Sequence, residues 1–295
     1  MTRRDLADLL LLAALWGGSF LFMRVAAPHF GALPLAAVRV AGAALLLVAI
    51  LAAQRGFAGL QAHWPSIAWV GITNSALPFL GFSIAALSIP AGLSSILNAT
   101  SPMFGALIAM LWLRESGSPS RSVGLGLGFA GVAMLAWDNA RVGSPTQGSA
   151  TAIGLCLGAS ALYGYSACFV RRHLAKADPL AVACGSQISA ALALALPAWA
   201  WWPMAAPPAS AWLAAMALAL PCTGLAYVLY FRLIARIGPS RAITVTFLIP
   251  AFAMLWASLF LGEPISLGML GTACVILLGT GLATGLLRLP VARMR

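Results

Sequence analysis

Apolar residues run along this chain in blocks of about twenty, broken by short clusters of proline, glycine and charge, and the rhythm repeats ten times. A helix needs roughly 20 apolar residues to cross a hydrocarbon layer ~30 Å thick. Each block therefore reads as one crossing. The predicted spans are 6–27, 34–53, 64–88, 91–113, 120–137, 150–170, 180–202, 211–235, 239–261 and 265–287. Separators include Gln54-Arg55-Gly56, Arg114-Glu115-Ser116-Gly117 and Arg171-Arg172-His173. Such clusters break helices. The connection at 88–91 is so short that the third and fourth helices are expected to be adjacent and antiparallel. The first run, Leu9 to Phe22 behind Arg3 and Arg4, has the outline of a signal peptide. It stays apolar to about Ala27 and resembles a later segment, so it reads as an uncleaved spanning helix.

Composition agrees with the pattern. Of 295 residues, 62% are hydrophobic and 8% charged, with mean hydropathy +0.97. Soluble domains carry about 45–50% apolar and about 25% charged residues, so a soluble globular protein is excluded. A net charge of +11 would point to nucleic acid in a soluble domain. Here the basic residues sit in short loops and report topology instead. With the first residues in the cytoplasm, fourteen of the 17 basic residues fall on cytoplasmic segments, while Arg24 and Arg141 are external and Arg39 is within the second helix. That split predicts both termini cytoplasmic and excludes nucleic acid as a partner. The five cysteines form no CxxC or CxxxC pair and read as small core residues. No disulfide framework, metal site or cofactor is expected.

The two halves resemble each other. At an offset of 148 residues, Trp64 falls on Trp212, Pro102 on Pro250, Glu115 on Glu263 and Gly131 on Gly279. At 147, Leu15-Trp16-Gly17-Gly18-Ser19 falls on Leu162-Tyr163-Gly164-Tyr165-Ser166, and Arg24 on Arg171. Each half holds five predicted helices, an odd number, so the second half crosses in the opposite sense. The expected fold is an all-α membrane protein: ten transmembrane helices as two inverted five-helix repeats, 1–140 and 149–288, with a basic cytoplasmic tail at 289–295. Glu115 then lies at the cytoplasmic face and Glu263 at the external one. Inverted repeats are a transporter architecture, with substrate held near the midplane between them.

In the first helix Leu15-Trp16-Gly17-Gly18-Ser19-Phe20, in the fourth Asn98-Ala99-Thr100-Ser101-Pro102 leading to Leu113-Arg114-Glu115, and in the ninth Leu248-Ile249-Pro250 leading to Leu261-Gly262-Glu263-Pro264 carry a family likeness. In this order and spacing the chain resembles the drug/metabolite transporter superfamily, in its ten-helix EamA-type branch. The likeness covers nearly the whole chain. It implies export of metabolites, aromatic and other amino acids among them, across a bacterial inner membrane. It also implies that the fifth and tenth helices lie away from the substrate path. Arg114-Glu115-Ser116 departs from the Gly-Glu-Pro of the second half, which points to a turn of different shape.

Polar groups inside the membrane are costly and tend to be functional or paired. Arg39 is the one charge deep in a predicted helix, at ~2.5–3.5 kcal/mol if at mid-membrane. It reads either as an anchor for a substrate carboxylate or a gate, or as a guanidinium bonded to carbonyls at a helix junction or lying nearer the surface, about one and a half turns from Pro34. Pro102 and Pro250 each remove a backbone bond at matching places and read as hinges of a gate, with ordinary kinked packing as the alternative. Pro78 and Pro221 add bends that do not match at this offset. Trp16, Phe20, Phe79, Phe82, Tyr163, Tyr227 and Tyr230 are candidates to line a central space, and Phe79 and Phe82 match Tyr227 and Tyr230. Such rings stack on planar or apolar cargo and hold cations over their faces. Asn74, Asn98, Ser101, Ser166, Ser186 and Gln187 are candidate hydrogen-bonding groups. Trp199, Trp201 and Trp202 read as an interfacial belt. The pairs Gly124/Gly128, Gly154/Gly158 and Gly281/Gly285 read as close internal packing.

No Asp or Glu lies inside a predicted span, which argues against carboxylate-based proton coupling. The reading is a monomeric, multi-pass exporter of small molecules in the lipid bilayer of a bacterial inner membrane, moving aromatic or hydrophobic amino acids and planar cationic drugs. The alternative is a polytopic enzyme acting on lipid-linked substrates. That would need paired carboxylates, a histidine cluster or a nucleophile with its base, and none occurs in or beside the spans.

Overall fold

The computed structural model describes residues 2–54, 57–115, 117–141 and 149–287. Arg55, Arg288, Arg293, Arg295 and the tail 289–295 lie outside the described residues, as does the side chain of Arg141. The described residues are helical throughout, with no strand among them. The main helices are α1 Arg3–Phe30, α2 Ala32–Ala53, α3 Trp64–Ala85, α4 Ala91–Trp112, α5 Pro119–Arg141, α6 Ser149–His173, α7 Pro179–Ala200, α8 Ala209–Ile237, α9 Val245–Leu261 and α10 Leu267–Ala283. Among the described residues, seven of these (α1–α4 and α6–α8) are long and apolar enough to cross a membrane; α9 and α10 are apolar but shorter.

Local chemistry sets the ends. At the start of α1, Thr2 Oγ1 accepts from the Asp5 N–H at 3.2 Å and the Asp5 carboxylate accepts from the Thr2 N–H at 2.8 Å. This capping box satisfies two backbone donors. Asp178 and Ser266 cap α7 and α10 by a single bond each, accepting from the N–H groups of Leu180 and Met269. After α4 and α9 the chain reverses through a left-handed residue, Arg114 at φ 54° and Gly262 at φ 64°. The next N–H reaches back to Ala109 O (3.3 Å) and Ala257 O (3.2 Å) respectively. The two turns share one shape, contrary to the expectation from Arg114. The arginine accepts a left-handed backbone that costs roughly 1–2 kcal/mol for a residue with a Cβ.

The main packing partners are α1 with α8 and α9, α6 with α3 and α4, α2 with α7, and α5 with α10. Helices α3 and α4 do not pack as the neighbours their short connection predicts. Both lean on α6 instead. Glycines set the closest crossings. A Cβ on Gly17 would meet Phe252 Cβ at 2.8 Å and Ala253 N at 2.9 Å. A Cβ on Gly164, 147 residues later, would collide with the backbone of Gly105. Gly124 and Gly128 sit against α10 and against Met103 of α4 as expected. Gly154 and Gly158 face open space, and Gly281 and Gly285 make no interhelical crossing; in α10 the close contact is at Gly279.

Two helices widen into π turns, Ile72–Ala76 in α3 and Leu220–Leu225 in α8. These begin 148 residues apart. Pro78 follows the first and Pro221 lies in the second, so the prolines do not match but the wide turns do. The interruptions associated with Pro102 and Pro250 differ. Helix α4 breaks at Ala99–Thr100, just before Pro102. Pro250 lies inside α9, and the irregular stretch Ile243–Thr244 comes just before that helix.

Overpacking a filled contact costs about 1–3 kcal/mol. Gly164→Leu should therefore lower the thermal unfolding midpoint of the detergent-solubilised protein by several degrees, whereas Gly154→Leu should leave it within experimental scatter. Equal midpoints for the two variants would contradict the α4–α6 crossing.

Candidate functional site

A cavity of about 460 Å³ lies between α1, α2, α3, α4, α6, α8 and α9. Its walls contain Trp16, Phe20, Arg39, Asn74, Phe79, Phe82, Asn98, Ser101, Pro102, Tyr163, Tyr227 and Tyr230. Three expected hydrogen-bonding members, Ser166, Ser186 and Gln187, stand apart from it, and so does the expected hinge Pro250; Ser186 is buried and donates to Ala183 O at 2.8 Å. Ser166 is buried and donates to Thr73 Oγ1 at 2.8 Å. Gln187 is fully buried between α7 and α3, donating from Nε2 to Ser75 Oγ at 2.7 Å. Pro250 is in the core of α9. Most rings form two groups. Phe20 meets Phe82 edge-on at 5.6 Å, and Phe82 stacks on Tyr163 at 6.1 Å. Trp16 packs on Tyr230 at 5.2 Å. The phenol of Tyr227 accepts from Asn74 Nδ2 at 3.3 Å.

Arg39 defines the electrostatics. It is 6% exposed and lines the cavity. Its guanidinium carbon lies 3.6 Å from the centroid of the Phe79 ring. Nε donates to Thr223 Oγ1 at 3.0 Å, and Nη1 approaches Met23 Sδ at 3.6 Å. Neither partner is a carbonyl or a carboxylate, so the helix-junction alternative for Arg39 is not what the structure contains. Thr223 sits in the α8 π turn and donates its own hydroxyl to Leu218 O at 2.8 Å, which aims its lone pair at Arg39. The wide turn is what lets that hydroxyl face the cavity rather than the next helical turn.

The pattern of pairs is informative. Arg39 and Gln187 are 148 residues apart, and so are Thr223 and Ser75. Each long side chain therefore donates to the matching hydroxyl of the other half. Other wall residues pair at 147 or 148: Trp16 with Tyr163, Asn74 with Cys222, Asn98 with Thr246, Ser101 with Ile249. Reading from polar and aromatic types alone missed Ser19, Met23, Cys222, Thr223, Thr246 and Ile249. The offsets of 147 and 148 residues applied to the candidates already in hand would have found four of them, Ser19, Cys222, Thr246 and Ile249. Cys156, Cys168, Cys184 and Cys222 are buried as expected and Cys274 is exposed; Cys168 and Cys222 also line the cavity. Among the described residues no group of three or more His, Cys, Asp or Glu is placed to hold a metal ion.

The ends of the cavity differ. One end reaches Glu115, Arg121 and Arg171. There Glu115 pairs with Arg171 at 2.6 Å and Arg121 at 3.1 Å, and Arg171 is exposed. The other end is closed beneath Glu263. Its carboxylate accepts from the Ala91 N–H at 2.9 Å and faces Arg24 at 3.7 Å, while Arg24 Nη1 donates to Ala86 O at 2.6 Å. This set ties α1, the start of α4 and the α9–α10 turn together. Asp5 and Asp8 pair with Arg236, joining α1 to α8. All these contacts join residues that the charge pattern places on one side of the membrane. On the closed side, Trp199 and Trp201 are 82% and 76% exposed, as an interfacial belt requires.

The hydrogen bond from Arg171 holds the Glu115 carboxyl below its ordinary value of 4.5, with Arg121 adding to the effect against the cost of partial burial. Because the folded-state value is the lower one, Glu115 contributes stability above pH ~4.5 that is lost as pH falls through the folded value. The stability gap between the native chain and Glu115→Gln should be constant near neutrality and shrink on acidification below about pH 4.5, in thermal unfolding followed across pH. A gap that widens on acidification would contradict the pairing.

A family model described as EamA-like transporter family matches the chain twice, over residues 7–137 and 150–285. A Bacillus subtilis (strain 168) protein named as an uncharacterized transporter, YvbV, is 26% identical over 272 residues, covering 90% of this chain and 86% of that one. A probable terminal-alkyne amino-acid exporter of Streptantibioticus cattleyicolor is 27% identical over 278 residues, covering 92% and 91%. A solved crystal structure shares the fold, with a TM-score of 0.67 at 19% identity over 97% of this chain and 98% of that one. With both halves matched and the fold shared end to end, this multi-pass membrane protein belongs to the EamA-like transporter family, within the drug/metabolite transporter superfamily.

Proposed function

We propose that this chain exports small amino-acid-like metabolites by alternating access between two inverted five-helix halves, 1–140 and 149–288. In this reading all ten helices cross a bacterial inner membrane and both ends of the chain are cytoplasmic. The single observation that carries the reading is the one-sided cavity. It opens beside Glu115 and Arg171 and is shut beneath Arg24 and Glu263. Arg24 and Arg171 are 147 residues apart, and Glu115 and Glu263 are 148 apart. The same charge pair thus sits at both ends. In the expected topology the open end is cytoplasmic, so this is an inward-facing form able to load cargo from the cell.

Support comes from several sides. The recurrence of π turns, left-handed turns and interhelical hydrogen bonds at one offset fits two halves built alike. Inverted halves exchange inward and outward openings by rocking about a fixed site. A volume of about 460 Å³ falls within the roughly 300–1,000 Å³ range of small-molecule sites. The walls join aromatic faces to a few polar groups, which suits a cargo with an apolar body and a polar end. One relative is named as a probable amino-acid exporter.

The test is efflux of radiolabelled phenylalanine, leucine and tryptophan from proteoliposomes holding the full chain. Export above protein-free vesicles is expected for at least one of them, with saturation. Failure of folded preparations to move any amino acid, nucleoside or cationic drug would sink the exporter reading.

A further inference from the structure

The cavity carries a charge that no carboxylate among the described residues pairs with. Arg39 is 6% exposed and makes no ion pair among the described residues. The carboxylates that do make ion pairs are committed elsewhere: Asp5 and Asp8 to Arg236, Glu115 to Arg171 and Arg121, Glu263 to Arg24. An isolated buried charge is unfavourable until it is paired and hydrogen-bonded. From this arrangement we propose that Arg39 is an anion-binding residue of the substrate site, and that it takes the carboxylate of the cargo. This deepens the exporter reading and rests on it.

The geometry leaves one edge for that carboxylate. Phe79 covers a face of the guanidinium. Thr223 occupies the Nε corner and Met23 sulfur takes one Nη1 proton. Of the five N–H donors of arginine, the second on Nη1 and the two on Nη2 remain. Two such donors on neighbouring nitrogens are what a carboxylate takes in a bidentate grip. Stacking on Phe79 and the bond to Thr223 fix the plane of the fork before ligand arrives, so little freedom is lost on binding. Phe20, Phe82 and Tyr163 then receive the apolar body.

Charge also decides what is refused. The equivalent residue in the other half is Gln187, which is neutral and bonded to Ser75. Among the described residues the inner cavity therefore has a positive charge and no acid lining it to offset that charge, Glu115 being at its mouth. A cation without a carboxylate meets repulsion in a medium where charges interact strongly. Planar cationic drugs, attractive from the aromatic lining alone, are a poor match. Zwitterionic amino acids and monocarboxylates are a good one.

The experiment titrates detergent-solubilised full-length protein with phenylalanine, 3-phenylpropionate, phenylalaninamide and phenethylamine, read by intrinsic tryptophan fluorescence. Phenylalanine and phenylpropionate should bind, and the two compounds lacking a carboxylate should be weaker by about tenfold or more, as loss of a charged hydrogen bond implies. Arg39→Gln should erase that preference and Arg39→Lys should keep part of it. Should Arg39→Gln not fold, the ligand series on the native chain decides alone. Equal binding of phenethylamine and phenylalanine, no binding by any of the four, unaltered phenylalanine affinity in a folded Arg39→Gln, or displacement by chloride or phosphate at matched concentration would overturn the assignment. Efflux measured in parallel separates the two ideas. A chain that binds carboxylates but moves nothing loses only the exporter reading, and one that moves amines in preference loses only this one.

Discussion

A guanidinium buried in a low-dielectric interior, with no carboxylate partner among the described residues, is the constraint around which the site is arranged. Burying an unpaired ion costs several kcal/mol even after relaxation. The fold lowers that cost with what neutral chemistry allows: a ring face from Phe79, a hydroxyl from Thr223 and a soft sulfur from Met23. Each depends on helix geometry upstream. Thr223 faces Arg39 because α8 widens into a π turn, and the hydroxyl is steadied by Leu218 O. Phe79 follows the matching π turn in α3. These supports leave part of the guanidinium fork unmet, and a site with unmet donors favours a cargo that meets them.

The closed end shows how one carboxylate can hold three elements. Glu263 accepts from the first N–H of α4 and faces Arg24, whose side chain is itself tied to Ala86 O. A carboxylate at a helix N-terminus gains from the unsatisfied N–H groups and the dipole there. At the open end Glu115 has its arginines, but not the corresponding helix start. The residue 148 beyond Ala91 is Pro239, which has no N–H to give. The difference between the ends is thus chemical, and it fits a closure that is stronger on the Glu263 side in this form. Surface ion pairs alone contribute little; the backbone bond to Ala91 is what distinguishes the closed end.

Much of the fold was legible in the sequence because hydrocarbon imposes a simple code. Blocks of about twenty apolar residues mark the helices, and the described boundaries mostly fall within a few residues of those expected. Eleven of the candidate wall residues do line the cavity, since aromatic and amide side chains on inner helices have few other uses. What sequence reading missed has physical causes. Thr223 and Cys222 reach the cavity through a π turn, a register change that hydropathy does not encode. The separation of α3 from α4 reflects both helices finding a better partner in α6, which connection length cannot reveal. Arg114 adopts a left-handed turn suited to glycine because the helix end and the Glu115 ion pairs impose it. Gln187, singled out as a cavity residue, is instead committed to Ser75; its match with Arg39 at the 148-residue offset is the clue that places both.

In the proposed mechanism one cavity opens alternately to the two sides, inward in this form. The most direct measurement places a single cysteine at Ser101, in a chain whose five native cysteines are replaced by alanine, and labels it with a membrane-impermeant maleimide in vesicles of each orientation. Alternating access requires labelling from the cytoplasmic face in the resting chain, with labelling from the external face appearing when Glu263→Gln weakens the closure. Labelling of the resting chain from the external face alone, with no response to Glu263→Gln, would contradict it.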